Sequence, residues 1–378
     1  MLSLGRELDR NELAQSKVPS VDGILSADEV LATALHIVSL QEPSGAVGWP
    51  DGHINAWDLV ECAMAMSVCG LSSEARRAYE WLRRTQRADG SWPKRVEANT
   101  VTDASSDSNQ VAYIATGMWH ELLVTHDEEY VRHMWPTVRR AIEFVLELQA
   151  PHGEVLWERK EDGSEGDFAL LAGSSSIYLS LLCAIQLSIY LDDPQPQWEQ
   201  SARLLNHAIS HHPNDFADKS RFAMDWYYPI LTGVSKGTSA LERLMKKWHE
   251  FVVPGLGVRC VSDQPWVTVA ETSEFVMALA VVGKPSTARR IFMDIQQLRE
   301  SDGSYWTGWQ FANEAHFPAE HSSWSSAAIV LAADVLSRTT EGSRVFLDLT
   351  QVSLEPSASI EHFACECELK VPRNYVPQ

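Results

Sequence analysis

The chain has no surplus of positive charge. Its 31 lysines and arginines face 51 aspartates and glutamates, for a formal net charge of −20 over 378 residues. Nucleic acid and anionic membrane surfaces both demand basic patches, so the sequence argues against either as a partner. Diphosphate substrates are disfavoured on the same ground. Cysteine is scarce: Cys62, Cys69, Cys183, Cys260, Cys365 and Cys367 are scattered, with no Cys-x-x-Cys pair. The nearest approach to a ligand set is Cys365-x-Cys367 beside His362. The spacing therefore predicts no structural metal in the body of the protein, and no cofactor. No stretch of about 18 apolar residues appears, and the opening MLSLGRELDRNEL is charged where a signal peptide would be apolar. The expectation is a cytoplasmic protein without a membrane span. Almost nothing before residue 344 reads as a strand.

What is present is helix. Apolar residues recur at helical spacing over 26–40, 54–69, 72–88, 108–125, 127–149, 172–191, 195–211, 223–233, 236–249, 269–282, 285–298 and 322–337. Ser26-Ala-Asp-Glu29 has the form of a capping box, and Gly70, Gly233 and Gly283 stand where helices should stop. The connections alternate. Those after even-numbered helices are short, as at Gly70-Leu71, and those after odd-numbered helices are long. Short turns join antiparallel neighbours. Every long loop then falls on one end, and six hairpins curve into an all-α (α/α)6 toroid over residues 26–338, with the even helices inside. Residues 1–25 are left as an N-terminal arm and 339–378 as a C-terminal tail, expected to pack on the outside of the ring.

The long loops repeat one pattern: Gln41…Gly45…Trp49, Gln86…Gly90…Trp92, Gln149…Gly153…Trp157 and Gln297…Gly303…Trp306. Internal periodicity of this kind marks a repeat architecture. Nine of the fourteen tryptophans lie in these loops or just after them, which makes the long-loop rim strongly aromatic.

The starts of the inner helices are polar as well as aromatic. Capping explains one acid or hydroxyl at each, but not six polar-aromatic clusters at equivalent places. They nominate a ligand-binding rim of Trp49, His53, Asp58, Asn109, Trp157, Tyr178, Trp226, Tyr228, Trp266, Glu271, Tyr305, Trp306, Trp309, His321 and Trp324. Sugars present an apolar face and a polar edge, which suits such a lining. Aromatic faces also stabilise carbocations, so an isoprenoid stays open as the alternative ligand.

Two families resemble this pattern. Ala75-Arg-Arg-Ala-Tyr-Glu-Trp-Leu82 followed by Gln86 and Asp89-Gly-Ser-Trp92 resembles the repeat of squalene and hopene cyclases and of prenyltransferase-like toroids. The Asp-x-Asp-Asp motif of those cyclases is missing; Asp103-Ala-Ser-Ser-Asp107 has the wrong spacing. The segment from Tyr130 to Val145, then Trp157-Glu158-Arg159, is similar to glucoamylase-like glycosidases, and so is Pro318-Ala-Glu320-His321 with Trp324. That resemblance implies Glu158 as general acid and Glu320 as general base, on loops far enough apart to admit a water and so to invert the anomeric centre. Asp225 and Glu274 are the reserve carboxylates, with Glu271 one turn from Glu274. The reading is an enzyme on a carbohydrate or glycoconjugate, against a terpene cyclase or prenyltransferase-like enzyme, or a toroid that only binds.

Overall fold

The computed structural model describes residues 17–351. The Cys365/Cys367 pair, most of the N-terminal arm and much of the C-terminal tail fall outside that range.

Twelve helices follow the order read from the sequence: α1 Ala27–Leu40, α2 Ala56–Val68, α3 Ser72–Thr85, α4 in two segments (Ser108–Ala112 and Ile114–Thr125), α5 Glu128–Glu147, α6 Leu171–Tyr190, α7 Pro196–His211, α8 Ala223–Leu231, α9 Gly237–Phe251, α10 Val269–Val281, α11 Pro285–Asp294 and α12 Ser323–Ser337. The two parts of α4 meet at Tyr113, whose backbone stays helical. The even helices are buried almost all round; in α2 every residue but Trp57 is buried. The odd helices bury one stripe. In α3 it is Ala75, Ala78, Tyr79, Trp81 and Leu82, at helical spacing, with arginines on the other face. Each inner helix packs on the next, α2 on α4, α4 on α6, α6 on α8, α8 on α10, α10 on α12 and α12 back on α2, so the ring closes. The helix α6 is long and apolar enough to cross a membrane by length and composition, but 78% of its apolar window is buried inside the fold. Here it is an inner wall of the ring.

The glutamine–glycine repeat is the seam between hairpins. Gln41 Nε2 donates to Gly45 O at 3.0 Å and to Glu74 O in α3 at 2.9 Å. Gln86 does the same to Gly90 and to Thr137 of α5, and Gln149 to Gly153 and to Ser201 of α7. The glycine in each lies at positive φ with the neighbouring outer helix against its Cα. A Cβ would lie 2.1 Å from Arg77 O at Gly45, and 2.1 Å from Arg140 O at Gly90. In the last loop Arg299 holds the glutamine's place, pairing with Tyr305 as Gln41 pairs with Val47. Gln297 is two residues out of register and donates to Gly255 O and Asp294 O instead. Gly303 of that loop seats on Ala32 of α1, which fastens the last hairpin to the first.

Two further features depart from the sequence reading. The long loops carry short strands: β1 His53–Ile54, β2 Arg95–Glu97, β3 Thr100–Asp103, β4 Ser106–Asp107, β5 Glu158–Arg159, β6 Val252–Val253, β7 Gly257–Arg259, β8 Trp266–Thr268, β9 Gly308–Gln310 and β10 Ala315–His316. At two to four residues they are too short to show a period of two. The described part of the segment after α12, residues 339–351, is no outer strap. Val345 and Phe346 of α13 Arg344–Leu347 are buried, Gly342 sits against His120 near the end of α4, and Thr350 sits against Gly233 in the α8–α9 turn. It crosses the short-turn end of the ring. At the other terminus Val21 and Leu25 are buried in a tight turn, so the residues just before α1 belong to the body.

Candidate active site

Trp57 is the centre of the long-loop rim. Its ring meets Tyr113 of α4 at 5.6 Å between centroids, Tyr228 of α8 edge-to-face at 6.1 Å, and Trp324 of α12 at 6.5 Å. Trp49, from the α1–α2 loop, continues this wall, 6.2 Å from Trp324 and stacked on His53 at 5.0 Å. Four of the six inner helices thus converge on one indole.

Carboxyl groups underlie these rings. Asp58, one residue after Trp57, accepts from Trp49 Nε1 and from Asn55 Nδ2, each at 2.5 Å. One turn further, Glu61 accepts from Trp57 Nε1 and from the Tyr113 hydroxyl, both at 3.0 Å through Oε1, while no hydrogen bond reaches Oε2. Across the ring Glu274 of α10 accepts from the hydroxyls of Tyr227 and Tyr228, the latter at 2.6 Å. Burial raises all three above the ordinary carboxylate range. For Glu61 the charge of Asp58 adds to burial and takes it to about 7; for Glu274 the charge of Glu61 adds to burial. The shift is in the direction a general acid requires.

The other sequence-nominated residues divide. Trp306 stacks on His316 at 4.0 Å and lies 4.0 Å from His321, and Trp309 stands edge-on to the same His316. These rings, with Trp266 of β8 packed on Phe317, line the loop side of the rim. Asn109 is buried at the start of α4, its Oδ1 without a hydrogen bond. Asp225 of α8 accepts from Ala172 N at 3.2 Å, and burial pushes it up to about 6. Glu271 is buried one turn before Glu274, with the Cys260 thiol beside it. Trp157 donates to Asp107 at 2.5 Å, packs at a tilt against Phe168 and carries Lys94 Nζ 4.1 Å above its ring. Lys94 is ion-paired with Glu158. Glu320 is half-buried before α12; its backbone carbonyl holds Thr307 N.

Three of the nominated side chains lie away from the rim. Trp226 is 2% exposed, sandwiched between Phe251 and Phe275 with Nε1 on Arg243 O, so it packs α8 against α9 and α10. Tyr305 is fully buried, its hydroxyl on Gln296 Oε1 at 2.6 Å. Tyr178 points outward, into a groove shared with Arg203, His207 and Lys236. All three sit in or beside the long-loop helices by sequence, but their side chains face the outer ring. Glu61, Tyr113, Tyr227 and Lys94 lie among the rim groups and were not nominated from the sequence. Glu61 did leave a signal: it is the one charged residue in the apolar run Leu59-Val60-Glu61-Cys62-Ala63-Met64. Among the described residues, the one cluster with three metal-ligand groups in mutual reach lies elsewhere, at His152, Glu154 and Asp215.

No family model matches the chain. A relative does: the MMP endo-(1,4)-3-O-methyl-alpha-D-mannosidase of Mycolicibacterium hassiacum is 48% identical over 330 residues, which cover 87% of this chain and 92% of the relative. The chain belongs to the family of that mannosidase. Solved structures agree on the fold. A wild-type glycosidase superposes with a TM-score of 0.66 at 14% identity, over 88% of this chain and 99% of its own. A D-mannose isomerase superposes with a TM-score of 0.66 at 10% identity, over 82% and 97%. The protein is an (α/α)6 toroid and a glycosidase-type enzyme acting on carbohydrate. The cyclase-like glutamine–glycine repeat has its explanation in the seam between hairpins, which is packing and not isoprenoid chemistry.

Proposed function

We propose that this enzyme hydrolyses internal α-1,4 linkages in a 3-O-methylated mannose polymer. The relative's name supplies that substrate, and the rim fits it. A methylated sugar has more apolar surface than a free one, and Trp49, Trp57 and Trp324 offer adjoining aromatic faces with carboxyl and amide groups beneath them. The observation that carries the catalytic reading is the buried Glu274 carboxyl on α10, held by two tyrosine hydroxyls, with Asp58 on α2. Glu274 donates its proton to the leaving oxygen. Asp58, whose carboxyl burial raises while its Trp49 and Asn55 donors oppose that rise, takes a proton from the attacking water. Water adds opposite the leaving group, so the product anomer is inverted. Glu158 and Glu320 flank the rim as wall residues.

The test is digestion of a 3-O-methyl-α-1,4-mannan and its unmethylated counterpart, followed by NMR during the first turnovers. The expected result is shortened oligosaccharides from the methylated chain, released as the β anomer. Release of single terminal sugars, or equal rates on both polymers, would count against the reading.

A further inference from the structure

The α5–α6 loop and the α7–α8 loop meet on the outside of the rim. His152 and Glu154 come from the first and Asp215 from the second, and one ligand atom from each lies within 4.8 Å of the others. His152 Nδ1 is 3.4 Å from Asp215 Oδ2. Neither Glu154 Oε2 nor Asp215 Oδ2 receives a hydrogen bond, although both atoms are buried from solvent. These two buried oxygens have only the 3.4 Å His152 contact between them, and a cation held among the three groups would offset the carboxylates' repulsion. We infer that His152, Glu154 and Asp215 form a divalent metal site that staples the two loops together.

The ligand set indicates zinc. An imidazole nitrogen with two carboxylate oxygens suits a borderline ion, whereas calcium takes oxygen ligands in larger number. Tetrahedral zinc with bonds of about 2.0–2.2 Å places its ligand atoms roughly 3.3 Å apart. Small side-chain rotations close the present spacing, and the His152 side chain, 71% exposed, is free to turn. Water fills the fourth position. The carboxylates are three-dimensional neighbours from loops some sixty residues apart in sequence, which is why no spacing rule finds them. Three more histidines lie close by: His212 stacks on His152 at 6.2 Å, and His207 and His211 are 4.8 Å apart on the last turns of α7. They are the competing location.

The test uses the full chain, stripped by a chelator and titrated with zinc chloride by calorimetry, with thermal unfolding recorded in parallel. The expected result is one saturable zinc per chain and a raised melting temperature. His152→Ala and Asp215→Asn should each weaken binding more than about tenfold and remove the zinc-dependent rise, while His211→Ala leaves both unchanged. No saturable binding, or affinity lost in His211→Ala but kept in His152→Ala, overturns the assignment. Calcium binding as tightly as zinc at these residues overturns the identity of the ion. All readouts are independent of glycosidase activity.

Discussion

The Tyr228 hydroxyl donates to Glu274 Oε1 at 2.6 Å while its ring stands edge-to-face with Trp57, 6.1 Å away. One side chain thus links a carboxyl group on α10 to the aromatic centre that α2 supplies. If Glu274 is the proton donor, its neighbours decide how readily it gives the proton up.

Glu274→Gln keeps the shape and removes the ionisable group. General acid–base catalysis contributes about 10²–10⁴-fold, so kcat/KM on the methylated mannan should fall on that scale. Tyr228→Phe removes one hydrogen bond and should cost less. Initial-rate kinetics check both, with thermal melts to confirm that each variant folds.

Glu61 makes stability depend on pH. Its folded pKa is raised to about 7 by burial and by Asp58, above the ordinary 4.5. The folded state therefore binds more protons than the unfolded state between these values, and stability falls as pH rises from about 4.5 to about 7. Glu61→Gln should flatten that decline. Urea unfolding of both proteins from pH 4.5 to 7.5 measures it. A wild-type curve parallel to the variant's would show that Glu61 does not titrate in this window.

Glu158 separates two catalytic assignments. Because its carboxyl is engaged in the ion pair with Lys94, Glu158→Gln should lower kcat/KM by less than about tenfold, with Lys94→Met behaving alike. A loss of about 10²-fold or more from Glu158→Gln alone would restore it as the acid.

Gly303 tests the closing seam. A Cβ there would lie 2.5 Å from Ala32 C, at a φ of +91°. Gly303→Ala should cost about 2–4 kcal/mol, the left-handed backbone and the clash together. Gly163 has φ +84° with nothing within 4 Å of a Cβ, so Gly163→Ala should cost only about 1–2 kcal/mol. Chemical denaturation of the two variants gives the difference.

The ring was legible because two signals, apolar periodicity and the alternation of loop lengths, both survive uncertainty at helix ends. The starts of the inner helices could be located for the same reason, because they are equivalent positions, and Asp58 and Glu274 were nominated from them. Direction of a side chain was not legible. Trp226 and Tyr228 are two residues apart on one helix, about 200° around its axis, and only the packing of α9 and α10 settles which faces in. The Lys94–Glu158 pair joins loops 64 positions apart, so no local pattern announces it. Glu61 was hidden because one acid in an apolar helix reads as a defect until its partners are known.

The contact of Gly303 with Ala32 has a consequence for how the molecule comes apart. In an open array of repeats, an end unit has one neighbour and can peel away, so such proteins fray from their termini and require caps. Here the first hairpin is also the neighbour of the last. No hairpin has a free side, and opening any one of them breaks two seams at once. Fraying from one end is replaced by a single concerted transition, and the point at which the chain begins becomes arbitrary. A permuted gene that starts at another short turn would still encode the same circle.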